Sequence, residues 1–189
     1  MSGGCAKPAV MPRLFARLRA LRRDRSGATI IEFALVAAPF IALILATLQT
    51  SLVFFAQQSL ETAAEETARD LVTGKAQQSN WVLQDFQQDA CSHLYSFMKC
   101  PNLMVDVQRA DSLAAIDTST PTITYKKDGS IDQSKWQFNP GQPGDIVVMR
   151  MMYVLPVISG PLGFNLSNMQ GSRRLLVATS VFRSEPYLS

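Results

Sequence analysis

The chain has 189 residues, 47% of them hydrophobic and 17% charged, with a net charge of +3. Setting aside a basic N-terminal block and the apolar run behind it leaves about 130 residues, enough for one domain. Cys91 and Cys100 with one nearby histidine, His93, do not make a four-ligand metal set, so no metal or other cofactor is expected.

The charge is unevenly placed. Residues 1–27 hold Lys7, Arg13, Arg17, Arg19, Arg22, Arg23 and Arg25 against Asp24 alone, whereas residues 28–189 hold 11 basic and 14 acidic side chains. A basic arm can bind nucleic acid. Here it directly precedes apolar residues at membrane length, so it reads as a positive-inside anchor with the lipid bilayer as its partner and no nucleic acid.

No charged residue occurs from Phe33 to Ser59. Crossing a bilayer takes about 20 apolar residues at about 1.5 Å rise each, and Phe33 to Ala56 suffices. A secretory signal would have a shorter apolar region and a small-x-small cut site after it. Pro39 lies inside the run; a membrane helix tolerates it as a kink. The basic flank stays in the cytoplasm, which puts the C-terminal part outside the inner membrane.

At the junction the sequence reads Arg25-Ser26-Gly27-Ala28-Thr29-Ile30-Ile31-Glu32-Phe33. This resembles the processing site of type IV prepilins and pseudopilins. The resemblance implies cleavage after Gly27 by a membrane prepilin peptidase, giving a mature chain that begins at Ala28. Gly27 suits such a site because a backbone without a side chain extends readily into a protease cleft. Glu32 is the unusual residue: a carboxylate in an apolar helix costs roughly 2.5–3.5 kcal/mol near the bilayer centre and less at its edge. The resemblance implies an assembly role for Glu32, beside Phe33. Its carboxylate would meet the free amine of Ala28 on a neighbouring subunit, an attraction strengthened by low dielectric.

Beyond the membrane, Leu60, Ala63, Ala64, Thr67, Ala68, Leu71 and Val72 follow helical spacing, with Glu61, Glu65, Glu66, Arg69 and Asp70 on the other face. One helix from about Thr29 to Thr73 is predicted, ended by Gly74 as C-cap. A second helix is predicted over Asn80 to about Phe97, capped by Asn80, with Val82 or Leu83, Phe86, Ala90, Leu94 and Phe97 on one face. Leu103, Val105 and Val107 then alternate as in a strand. Thr122 to Tyr125 is β-prone, Lys127-Asp128-Gly129-Ser130 reads as a turn, and 139–144 as a loop. Asp145 to Leu155 and Arg174 to Arg183 are predicted strands, paired antiparallel across the loop containing Pro156, Pro161 and Gly163. The expected fold class is α+β: a long transmembrane and spine helix, then a small exported domain with a second helix and an antiparallel sheet. The boundaries are a leader over 1–27, a transmembrane helix over 28–56, its amphipathic extension over 57–74 and a periplasmic domain over 75–189.

Cys5 lies in the leader and reads as a free thiol. Cys91 and Cys100 lie in the exported part, where disulfides persist, and are expected to bond to each other; two free buried thiols are the alternative.

The C-terminal stretch Leu175-Leu176-Val177-Ala178-Thr179-Ser180-Val181-Phe182-Arg183-Ser184-Glu185-Pro186-Tyr187 looks like the closing strand of TadE-like pseudopilins, with Ser184 where an Asn is usual. With the N-terminal pattern it supports a resemblance to that family over about 28–74 and 144–187. The resemblance implies a minor pilin of the tight-adherence (Tad/Flp) pilus, acting in fibre assembly or initiation. Its implied partners are the prepilin peptidase, other pilins and pseudopilins of the system and the inner-membrane assembly platform. The implied location is single-pass in the bacterial inner membrane, N-terminus cytoplasmic and C-terminal domain periplasmic, with incorporation into a surface pilus left open. An uncleaved anchored periplasmic scaffold or binding protein, and a type II secretion-like pseudopilin, also stay open.

No catalytic role is expected. His93 has Asp89 four residues before it, which reads as a surface pair, and no G-x-S-x-G, G-x-x-x-x-G-K-[ST] or G-x-G-x-x-G motif is present. Trp81, Trp136, Met149, Met151 and Met152 read as core.

Overall fold

The computed structural model describes residues 26–116, 123–126, 131–132, 134 and 136–186. The leader 1–25 with Cys5, Thr122, the turn 127–130 and Tyr187 lie outside the described residues. The element order is helix α1 (Ser26–Val72), a short helix α2 (Lys75–Gln78), helix α3 (Leu83–Ser92), then strands β1 (Leu103–Ala110), β2 (Ile146–Pro156) and β3 (Arg173–Arg183). The chain divides into two compact units, residues 1–45 and 46–189.

In the first unit, α1 presents Ile30, Ile31, Phe33, Leu35, Val36 and Phe40 as exposed apolar side chains. The helix runs through Pro39 and is long and apolar enough to cross a membrane.

In the second unit, α1 changes character. Ala56, Leu60, Ala63, Ala64, Thr67, Ala68 and Leu71 are buried, a stripe at i, i+3, i+4 and i+7 spacing. The alanines let the helix lie close to its neighbours, and the Thr67 hydroxyl is satisfied by the Ala63 carbonyl at 2.7 Å. The helix ends where Gly74 takes φ 76°, a left-handed value that costs glycine little.

The sheet is antiparallel in the order β1-β2-β3. Its two faces follow strand alternation. Leu103, Val105, Val107, Val147, Met149, Met151, Tyr153, Leu176 and Ala178 join the α1 stripe and Phe86 and Ala90 of α3 in the main core. Met104, Met152 and Val154 face the other way, covered by Ile123, Ile131, Trp136, Met169, Leu175 and Val177. Two-sided cover explains why β2 reads as a nearly continuous apolar run, broken only by Arg150. Met149, Met151 and Met152 are buried, and the tryptophans pack partly buried against the two cores.

Two features of the second helix differ from the sequence reading. Asn80 does not cap it. Asn80 takes φ 52° and closes α2: the Asn80 N–H donates to Gln77 O and the Trp81 N–H to Ala76 O, the bond pair of a Schellman turn. The α3 N-terminus is held by Asp85, whose carboxylate accepts the Val82 N–H at 3.1 Å. The helix also stops at Ser92, short of Phe97. A helix continued to Phe97 would carry the chain away from Cys91, leaving only Met98 and Lys99 to bring Cys100 back beside it. Instead residues 93–99 turn, with the Met98 N–H donating to Tyr95 O and the Lys99 N–H to the Tyr153 hydroxyl at 2.7 Å.

Candidate functional site

The sequence-predicted site residues fall in two places. Gly27, Ala28, Glu32 and Phe33 lie in the first turns of α1. The opening turn of a helix has N–H groups without intrahelical acceptors, and Gly27 sits there in open space: a Cβ added to it would meet no atom within 4 Å. Ala28 and Glu32 are four residues apart and share one helix face. Glu32 is exposed and forms no ion pair with another of the described residues. A chain cut before Ala28 would thus carry an ammonium at the helix start, with a carboxylate one turn further on the same face.

Cys91 and Cys100 form the second place. Their Cα atoms are 5.6 Å apart, at disulfide distance, with nine residues of separation. The pair ties the end of α3 to the turn that leads into β1, and Cys91 packs partly buried against the main core.

A polar cluster holds α3 against α1. His93 Nδ1 lies 2.8 Å from Glu66 Oε2, and its Nε2 lies 3.6 Å from Asp89 Oδ2. The Asp89 contact matches the expected pair; the closer Glu66 contact joins residues distant in sequence and has no local signal. Lys75 Nζ pairs with Asp70 Oδ2 at 2.7 Å, and that hydrogen bond holds the lysine above its ordinary range. Asp89 is held above the ordinary carboxylate value by burial first and by the Asp70 carboxylate next, opposed by His93 and Lys75.

The C-terminal stretch has a structural task that sequence reading missed. Past β3 the Ser184 N–H donates to Asp145 O, the Gly144 N–H to Ser184 O, and the Glu185 N–H to Val72 O at 2.9 Å. Arg183 Nε donates to Gly144 O at 2.7 Å. The end of β3 therefore satisfies one of the free carbonyls at the end of α1. The clue was a charged, proline-ended tail after an apolar strand, but its acceptor lies more than 100 residues away in the chain.

A family model described as TadE-like protein matches residues 27–69. That segment is TadE-like. The match opens on Gly27, contains Ala28, Glu32 and Phe33, and ends within the buried-stripe half of α1. It includes neither the β1–β3 sheet nor the stretch 144–187 that also carried the resemblance. No curated protein and no solved structure matches the chain.

Proposed function

We propose that this chain is a membrane-anchored minor pilin associated with a tight-adherence pilus, a structural subunit rather than an enzyme. The observation that carries the reading is the TadE-like match over 27–69, which begins at the glycine where the prepilin-like pattern puts the cut. In this reading the leader holds the site at the cytoplasmic face, a prepilin peptidase cleaves after Gly27, and the exported domain emerges on the periplasmic side. Other subunits of the system and its membrane platform are the partners.

The mechanism is electrostatic. Within an apolar seam between helices, an unpaired Glu32 carboxylate is unfavourable by a few kcal/mol. The Ala28 ammonium of an incoming subunit offsets that cost only when the two helices are in one register, so the pair selects register rather than merely adding attraction. The pairing requires the leader to be gone, because an uncut Gly27–Ala28 peptide carries no charge. Processing is thereby linked to assembly.

The test is Glu32→Gln, which keeps shape and removes the charge. Membrane insertion and cleavage should persist while co-purification with partner pilins and fibre formation fall at least tenfold. Unchanged piliation in that variant would remove the mechanism.

A further inference from the structure

The loop between β2 and β3 descends to a part of α1 that belongs to the apolar run. Gln49 Nε2 donates to the Ile158 carbonyl at 3.0 Å. The approach is close: a Cβ on Gly160 would stand 2.9 Å from Gln49 Oε1 and 3.1 Å from Phe164 O, so a side chain there would move the Gln49 amide and shift the loop by a few tenths of an ångström. A bilayer-length count of about 20 residues from Phe33 ends near Leu52, which sets Gln49 inside the span, close to its outer edge.

Three further observations describe the surroundings of that contact. First, the polar side chains at this level are satisfied by protein rather than left for water. Thr50 Oγ1 donates to Ala46 O at 2.8 Å, Ser51 Oγ to Thr47 O at 2.9 Å, and Gln49 to the loop, as an apolar medium demands. Second, no charged residue occurs between Arg150 and Arg173, whereas a connecting loop in water is ordinarily polar. Third, apolar groups at this end are exposed. Ile158 is 79% exposed and Leu52 65%. Phe55, Tyr95 and Phe97, each about half exposed, gather in one cluster, with Phe55 5.5 Å from both of the other rings. Aromatic side chains collect in this way at the headgroup level of membrane proteins. Loop and cluster meet in an apolar groove lined by Gln49, Leu52, Phe97, Ile158 and Leu166.

We propose that the 156–166 loop and the Phe55/Tyr95/Phe97 cluster are seated in the outer leaflet of the bilayer. Ile158 would reach the acyl-chain edge and the aromatic rings would lie at headgroup depth. The exported domain would then rest on the lipid surface until the subunit is withdrawn. The proposal rests on the reading of α1 as membrane-spanning but not on cleavage or on Glu32.

The experiment uses the full chain with Cys5→Ser, the Cys91–Cys100 pair left oxidised, in phosphatidylethanolamine–phosphatidylglycerol vesicles. A nitroxide is attached to Ile158→Cys, to Leu35→Cys as the span reference, and to Leu113→Cys, an exposed position at the opposite end of the sheet. Accessibility to oxygen and to a water-soluble nickel chelate is read by power saturation. The 158 label should show an oxygen-to-nickel ratio severalfold above that at 113 and close to that at 35. A ratio equal to that at 113, with 35 still lipid-like, would overturn the seating alone. An aqueous reading at 35 would overturn the span and the seating together. Protection of 158 from both reagents would show that protein, such as a second copy, covers the loop, and would overturn the lipid assignment.

Discussion

Replacing Cys91 and Cys100 together by serine removes the one cross-link that ends α3 where it does. The separation of nine residues sets the size of the effect. For a closed loop of about ten residues, chain-entropy reasoning gives a loss of about 2.7 kcal/mol at 25 °C. A domain of this size changes its melting temperature by roughly 3–4 °C per kcal/mol, so the double variant should melt about 8–10 °C lower. The assay is thermal unfolding of detergent-solubilised protein followed by near-ultraviolet circular dichroism, oxidised against reduced, with the variant alongside. Reduction should lower the parent melting temperature to that of the variant and leave the variant unmoved. A parent that melts equally under both conditions, or whose Cys91 and Cys100 are alkylated without prior reduction, would refute the pairing and the account of the short α3.

Other outcomes follow from the packing and the charges. Ala64→Leu puts three carbons into a fully buried position of the α1 stripe; overpacking should cost about 1–3 kcal/mol, read as a lower urea midpoint. Leu71→Ala, at another fully buried position, should cost about 2–5 kcal/mol in the same assay. The Asp89 carboxyl is held above its ordinary value of 3.8 by burial and by Asp70, so the folded state binds the proton more tightly than the unfolded state. Its contribution is full below pH 3.8 and is lost as pH rises through the higher folded value. Asp89→Asn should therefore remove that decline, with a melting temperature at pH 7 at or above the parent's; a variant that melts well below the parent at pH 7 would contradict this sign. Ending the chain at Arg183 removes the Glu185 N–H that Val72 O accepts, and hydrogen exchange should speed up in the last turn of α1.

Much of this architecture was legible in the sequence because its signals are local. The uncharged run from Phe33, the spacing of Leu60, Ala64 and Leu71, and Gly74 as the helix stop each act within a few residues. The two long antiparallel strands came within one residue of their predicted ends, because β-branched and methionine-rich runs bounded by Gly144 and by Gly171 leave little choice. Asn80 misled because asparagine suits an N-cap and a left-handed turn equally well, and only the Trp81 bond to Ala76 decides between them. Phe97 carried the correct apolar spacing for α3 yet belongs to a surface cluster, since the Cys91–Cys100 pair breaks the helix first. The contacts of Glu66 with His93, Gln49 with Ile158 and Glu185 with Val72 join segments far apart in the chain and have no periodicity to announce them. At the candidate site, the residue types around Gly27 and Glu32 were plain, and Glu32 stands exposed on α1.

In the proposed function, removal of residues 1–27 would expose a charged amine at the start of α1. Intact-mass and N-terminal peptide analysis of the membrane-bound protein, from cells that contain the prepilin peptidase, measures this directly. The expected product is a chain that starts at Ala28 and lacks residues 1–27. A protein that keeps Gly27 joined to Ala28 in those cells would contradict it, leaving the helix as a tether without the assembly chemistry.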